Sequence, residues 1–183
     1  MTLFILPAIL ILFLLFVLFN SFTIAKGNEI ITLERRWFGA QMPDGRTVAL
    51  KHEVGIQARI LGPGFHWLIP FIYKPTKHNF TLIEKNQVGV VRAITGAPIP
   101  TGEVMAKKTN CDLFQDGEAF LTTGGQKGPQ LDILPDGEYR INPHLFEVSI
   151  VDAVMVEDDE IATIESIAGK QVQRPGGNFG VPV

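Results

Sequence analysis

Hydrophobic and polar positions divide the chain near residue 26. Leu3 to Phe19, LFILPAILILFLLFVLF, carries no charge and no polar side chain, and fifteen of its seventeen residues are Leu, Ile, Phe or Val. Each such residue contributes roughly −0.3 to −0.6 kcal/mol to insertion at the centre of a membrane helix. At about 1.5 Å per residue a helical run covers roughly 25 Å, and continuing it through Asn20 to Ile24 reaches the ~30 Å of a hydrocarbon core. Leu3, Phe4, Ile5, Leu10, Leu14 and Phe19 are therefore expected in a transmembrane helix, within an anchor of residues 1–26. Pro7 lies near its start, where a missing N–H costs least. A cleaved signal peptide is the rival. It asks for a basic leader, a shorter apolar core and a small-residue cleavage site, and only Ala25 answers to the last.

Beyond Gly27 the pattern shortens. EIITLE (from Glu29), QVGVVRA (from Gln87) and EIATIES (from Glu160) are strand-like runs separated by Gly- and Pro-rich turns, and Val48 to Ile56 reads as another strand. Glu103 to Gly128 is polar and turn-rich. Outside the anchor there is no convincing long helical stripe.

The runs repeat. Ile60 set against Ile133 gives an offset of 133 − 60 = 73, which also pairs Gly55 with Gly128, Gln57 with Gln130, Gly64 with Gly137, Pro70 with Pro143 and Gly96 with Gly169. Glycines and prolines recur because each unit needs the same turn, and apolar residues because each fills the same core slot. Gly64, Pro70, Gly96, Gly137, Pro143 and Gly169 are thus expected as structural turns. The predicted chain is mainly β, with α+β as the alternative: the anchor, a first small β-rich unit at 28–85, a second at 86–158, and the start of a third, incomplete unit at 159–183, with more chain expected beyond it.

Charge and chemistry narrow the function classes. A net charge of −3 and a pI near 5.8 argue against nucleic acid as a partner, since that affinity comes largely from Lys and Arg on phosphates. One cysteine, Cys111, excludes an intramolecular disulfide framework. Four histidines share no metal-ligand spacing, and Glu157-Asp158-Asp159-Glu160 lacks the spacing of a calcium loop. Gly124 to Gly128 lacks the Walker pattern, and no nucleophile or zinc-protease motif is present. No enzyme activity, cofactor or metal is expected. Lys26, Arg35 and Arg36 follow the anchor while no basic residue precedes it, which places the bulk of the chain on the cytoplasmic side of the cell membrane, single-pass.

One cluster stands out. Phe65, Trp67, Leu68, Ile69 and Phe71 make both faces of their segment apolar, so it is either core or a contact with the membrane surface. The second unit carries Glu138, Arg140 and Asn142 at the matching places, so only the first could make that contact.

GPGFHWLIPFI resembles the early signature of the SPFH or band 7 superfamily. VGVVRAITGAPIPTGE, FQDGEAFLTTGGQKGPQ and ILPDGEYRINPHLFEV resemble its bacterial flotillin-like branch. The resemblance covers Gly27 to about Gly176. It implies tandem SPFH-type units in a membrane-tethered scaffold that assembles into large rings or cages and organises a membrane microdomain or encloses client proteins. Implied partners are membrane lipids, further copies in a large homo- or hetero-oligomer, and a membrane protease or other membrane-protein client. The alternative is an accessory subunit of a membrane protease or other membrane-tethered hydrolase. The heptad coiled coil typical of the family is not found in these residues.

Overall fold

The computed structural model describes residues 2–156 and 158–163, with side chains from Pro7 onward. Helix α1, Thr2–Asn20, opens the chain. Among the described residues, however, no helix is long and apolar enough to cross a membrane, which overturns the expected transmembrane span through Leu3, Phe4, Ile5, Leu10, Leu14 and Phe19. The reason lies at the helix end. Asn20 Nδ2 donates to the Phe16 carbonyl at 2.9 Å and Ser21 Oγ to that of Val17 at 2.6 Å, closing the last turn with side chains. The residues needed to lengthen the span, Phe22–Ala25, are instead strand β1. The apolar run stops at roughly 25 Å, short of the ~30 Å hydrocarbon core. Leu10, Leu14 and Phe19 lie exposed on α1, and Leu3, Phe4 and Ile5 lie outside the described side chains.

Two units follow with the same strand plan. The first comprises β1, β2 (Glu29–Arg35), β3 (Gly55–Leu61), β4 (Gly64–Trp67) and β5 (Tyr73–Asn79). The second comprises β6 (Thr81–Ile83), β7 (Gln87–Ala93), helix α2 (Gly117–Thr122), β8 (Gly128–Leu134), β9 (Gly137–Tyr139) and β10 (Phe146–Asp152). Each unit has a three-stranded antiparallel sheet, in order β3-β2-β5 and β8-β7-β10, and a two-stranded piece, β1-β4 and β6-β9. Strand pairing draws the units at 22–79 and 81–152, beside the 28–85 and 86–158 expected from the sequence repeat. Val48 and Ala49 lie outside the named strands, β3 beginning at Gly55.

The register repeats residue by residue. In the first half of each unit the shift is 87 − 29 = 58, and in the second half 128 − 55 = 73. Ile31 opposite Leu61 corresponds to Gly89 opposite Leu134, and Glu29 opposite Asn79 to Gln87 opposite Asp152. Even the bulge is copied: Gln57 to Arg59 stand against Leu33 alone, as Gln130 to Asp132 stand against Val91. Buried Gln57 holds the Glu53 and Gly55 carbonyls with its Nε2, and buried Gln130 holds those of Gln126 and Gly128.

The shifts differ because the second unit carries an insertion. Ala49 corresponds to Ala106, a shift of 57, whereas Glu53 corresponds to Gln126, a shift of 73, so 73 − 57 = 16 extra residues lie between Ala106 and Gln126. They hold α2, capped by Asp116, whose carboxylate accepts from Ala119 N at 2.9 Å. They also fill the main core. Cys111, Phe114 and Phe120 pack with Val91, Leu134, Ile141, Leu145 and Phe146, and with Val48 and Ala58 from the first unit. Phe120 meets Phe146 edge-on at 4.8 Å. Gly117 is obligatory at the seam, since a Cβ there would stand 2.7 Å from the Ala58 carbonyl oxygen.

Asn142 completes the join. Its buried Nδ2 donates to the Gln57 and Ala58 carbonyls, both at 3.0 Å, and its Oδ1 accepts from His144 N. Removing the amide strands two buried acceptors, at about 1–3 kcal/mol each. Asn142→Ala is expected to lower unfolding free energy by about 2–4 kcal/mol in urea titration of the detergent-solubilised chain. A loss under about 0.5 kcal/mol would refute this role for the amide.

Candidate membrane-facing surface

The hairpin of β1 and β4 sits directly after α1, with Phe22 opposite Trp67 and Ile24 opposite Phe65. Opposed residues of an antiparallel pair share a face, so these four side chains form one apolar lip. Thr23, Ala25 and His66 point the other way, Ala25 into a small core with Ile31, Leu33 and Leu61. His66 Nε2 bonds the Gly62 carbonyl at 2.7 Å. The predicted apolar cluster therefore divides. Leu68 is half-buried and packs on that small core, while Phe65 and Trp67 are each 63% exposed and Ile69 and Phe71 are exposed too. Phe22 and Phe65 stack at 5.0 Å, and Phe71 lies 6.5 Å from Phe16 of α1, which makes the surface continuous from helix to hairpin.

Sequence reasoning passed over part of this surface. Phe22 and Ile24 fall within the expected anchor of residues 1–26, although the alternation Phe-Thr-Ile-Ala is a strand signal. Trp37 and Phe38 are exposed beside it, Arg36 N being bonded to the Ile72 carbonyl at 2.8 Å. Arg36 and Lys74 line a cleft with Phe16, Asn20 and Phe71. Arg35 stacks over Tyr73 at 5.6 Å and its guanidinium bonds the Trp37, Phe38 and Lys51 carbonyls, bracing the loop. Phe38 and Phe71 both have left-handed backbones, φ 57° and 70°. That conformation costs a bulky residue on the order of 1–3 kcal/mol.

The turn residues fall as follows. Gly64 and Gly137 begin β4 and β9 with positive φ, 127° and 150°, which favours glycine. A Cβ on Gly96 would meet the Gly125 carbonyl oxygen at 2.5 Å. Pro70 and Pro143 sit in the connections after β4 and β9. Gly169 lies outside the described residues.

Other reactive groups are dispersed. Among the described residues no group of three His, Cys, Asp or Glu side chains could hold a metal ion. Cys111 is buried, and burial, the largest cause, pushes its thiol up; a backbone bond at Phe114 opposes this, and Asp116, Asp132 and Asp112 add smaller upward pushes. A thiol so held is a packing group and a poor nucleophile. Glu53 is held below the usual carboxylate range, chiefly by the Leu50 N–H and then by Arg46, with burial opposing. Gln126 makes the corresponding bond to Lys107 N with an amide.

His78 and His144 meet edge-on at 5.6 Å across the seam between units. Burial, and then His144, lower the His78 pKa from its ordinary 6.5. The unfolded chain therefore takes up this proton first, and the stability contribution, present above pH 6.5, is lost as pH falls below it. The urea midpoint should drop between pH 7 and pH 5, and His78→Gln should flatten that slope. An unchanged slope in the variant would exclude His78 as its source.

No family model, curated protein or solved structure matches this chain. The class defined by its own geometry is a tandem β-repeat protein with an all-round apolar N-terminal helix and an aromatic lip beside it.

Proposed function

We propose that this chain is a membrane-attached scaffold of the SPFH, flotillin-like kind, which oligomerises into a ring or cage and organises a membrane patch. The observation that carries the reading is the unbroken apolar surface from α1 through Phe71 to Phe22, Ile24, Phe65 and Trp67, flanked by Arg36 and Lys74. A helix apolar on every face finds its low-energy environment in lipid or in a large core. Trp and Phe prefer the headgroup level, and cations beside them attract anionic lipid. Attachment holds every copy the same way up, which removes much of the orientational cost of association. Head-to-tail contacts between such copies close into a ring when the rotation allows. Edge strand β5 is blunted by Lys74, Pro75 and Lys77, so the freer edge for lateral pairing is β10.

Two measurements test this. In flotation with vesicles containing anionic lipid, Leu14→Glu in α1 combined with Trp67→Glu and Phe71→Gly should reduce binding at least tenfold. Phe71→Gly alone should leave stability unchanged or raise it by about 1 kcal/mol through relief of the left-handed backbone. Full binding by the triple variant would refute the membrane-facing surface. The native protein in mild detergent should appear by mass photometry as a large closed assembly. Monomers and dimers alone at membrane-like density would refute the scaffold.

A further inference from the structure

The second unit docks on one face of the first sheet, and the equivalent face of the second sheet is open. On the first sheet Ile30, Thr32 and Ala58 are buried, Ala58 at 1% exposure; Asn142 and Gly117 lie against Ala58, and His144 lies against His78, the β5 neighbour whose ring meets the Thr32 hydroxyl. The repeat shifts map these three to Val88, Val90 and Leu131, and Ile60 to Ile133. Here Leu131 is 57% and Ile133 52% exposed, and Val90 is exposed beside them. The second sheet thus presents four apolar side chains at the docking position, with Leu131 in the place of Ala58 and Val90 in the place of Thr32; Val88 is half-buried, and the other three are exposed among the described residues.

The way the chain leaves the second unit indicates what covers this face. Phe80 N donates to the Asn28 carbonyl at 2.9 Å as the chain passes from β5 into β6. Ala153 N donates to the Asn86 carbonyl at 2.7 Å as it leaves β10, and 80 + 73 = 153 while 28 + 58 = 86. The exit from the second unit repeats the entry into it. Val154 to Val156 then stand where Thr81 to Ile83 form β6, and all three are exposed. The sequence from Glu160 continues in step with β7, Ile161 matching Val88.

We propose that the chain from Ala153 onward opens a third unit of the same repeat, and that this unit docks on Val88, Val90, Leu131 and Ile133 as the second docks on the first. The contact follows the interface within the chain: an apolar face around a bulge, whose Gln130 and Leu131 carbonyls receive no described side-chain donor, in place of the Asn142-capped bulge at Gln57 and Ala58. Bulges at equivalent places and a copied linker bond make a neighbouring unit of this chain the fitting occupant, rather than lipid or a second copy.

The test uses the native full-length polypeptide in detergent, with p-benzoylphenylalanine in place of Leu131 and a mixture of isotope-labelled and unlabelled chains. Irradiation should give a crosslink within one polypeptide, to a residue C-terminal of Ala153. Crosslinks between labelled and unlabelled chains, or to detergent alone, would overturn the proposal. Independently, Ile133→Cys should react with a thiol reagent at least tenfold more slowly than its exposure relative to Val154→Cys or Val104→Cys would predict, Val104 being comparably exposed and outside the four docking positions. Equal rates would overturn it as well. Neither readout depends on vesicle binding or ring formation, so this proposal and the scaffold reading fail separately.

Discussion

A bulge in the first sheet leaves the Gln57 and Ala58 carbonyls directed at the second unit, and the Asn142 amide satisfies both. Much else follows from this contact. Two buried acceptors require a donor, so Asn142 has to be buried, and its burial brings Ile141, Leu145 and Phe146 into the core. Ala58 and Gly117 are small because the backbones meet there. The insertion with Phe114 and Phe120 then closes a core that neither unit fills alone, since Val48 and Ala58 reach into it from the first.

The two units share a backbone frame and differ in surface. In the first, Ile24, Phe65 and Trp67 face outward next to the helix end. In the second, Leu82 and Glu138 occupy the places of Ile24 and Phe65. The same hairpin is therefore an apolar lip near α1 and a mixed surface farther along the chain. Left-handed backbones occur on both kinds of surface: Phe38 and Phe71 hold them with exposed rings, and Phe114 holds one with its ring buried in the main core.

Much of the fold was legible in the residues. The offset of 73 is carried by glycines, prolines and apolar positions, and it matches β3 to β8 and β5 to β10 because a shared turn and core impose the same residue types. The second shift, 58, and the insertion were not legible. β1 and β2 share few identities with β6 and β7, and a strand's partner is chosen across the sheet rather than along the chain. Phe65 and Trp67 were legible as a cluster, but only the pairing of β1 with β4 placed them on one face with Phe22 and Ile24 and turned His66 inward.

Composition by itself determined that Thr2–Asn20 is helical and apolar on every side, because an uncharged Leu- and Ile-rich run has no competing turn chemistry. Where that helix ends was decided by tertiary structure. Leu68 N bonds the Ser21 carbonyl at 2.7 Å and β4 offers β1 a partner, so Phe22–Ala25 gain sheet hydrogen bonds that outweigh another helical turn. The repeat was written in the sequence because it is a pattern of local turns. The docking of one unit on the next was not, because it rests on two carbonyls and one amide brought together from 84 and 85 residues apart.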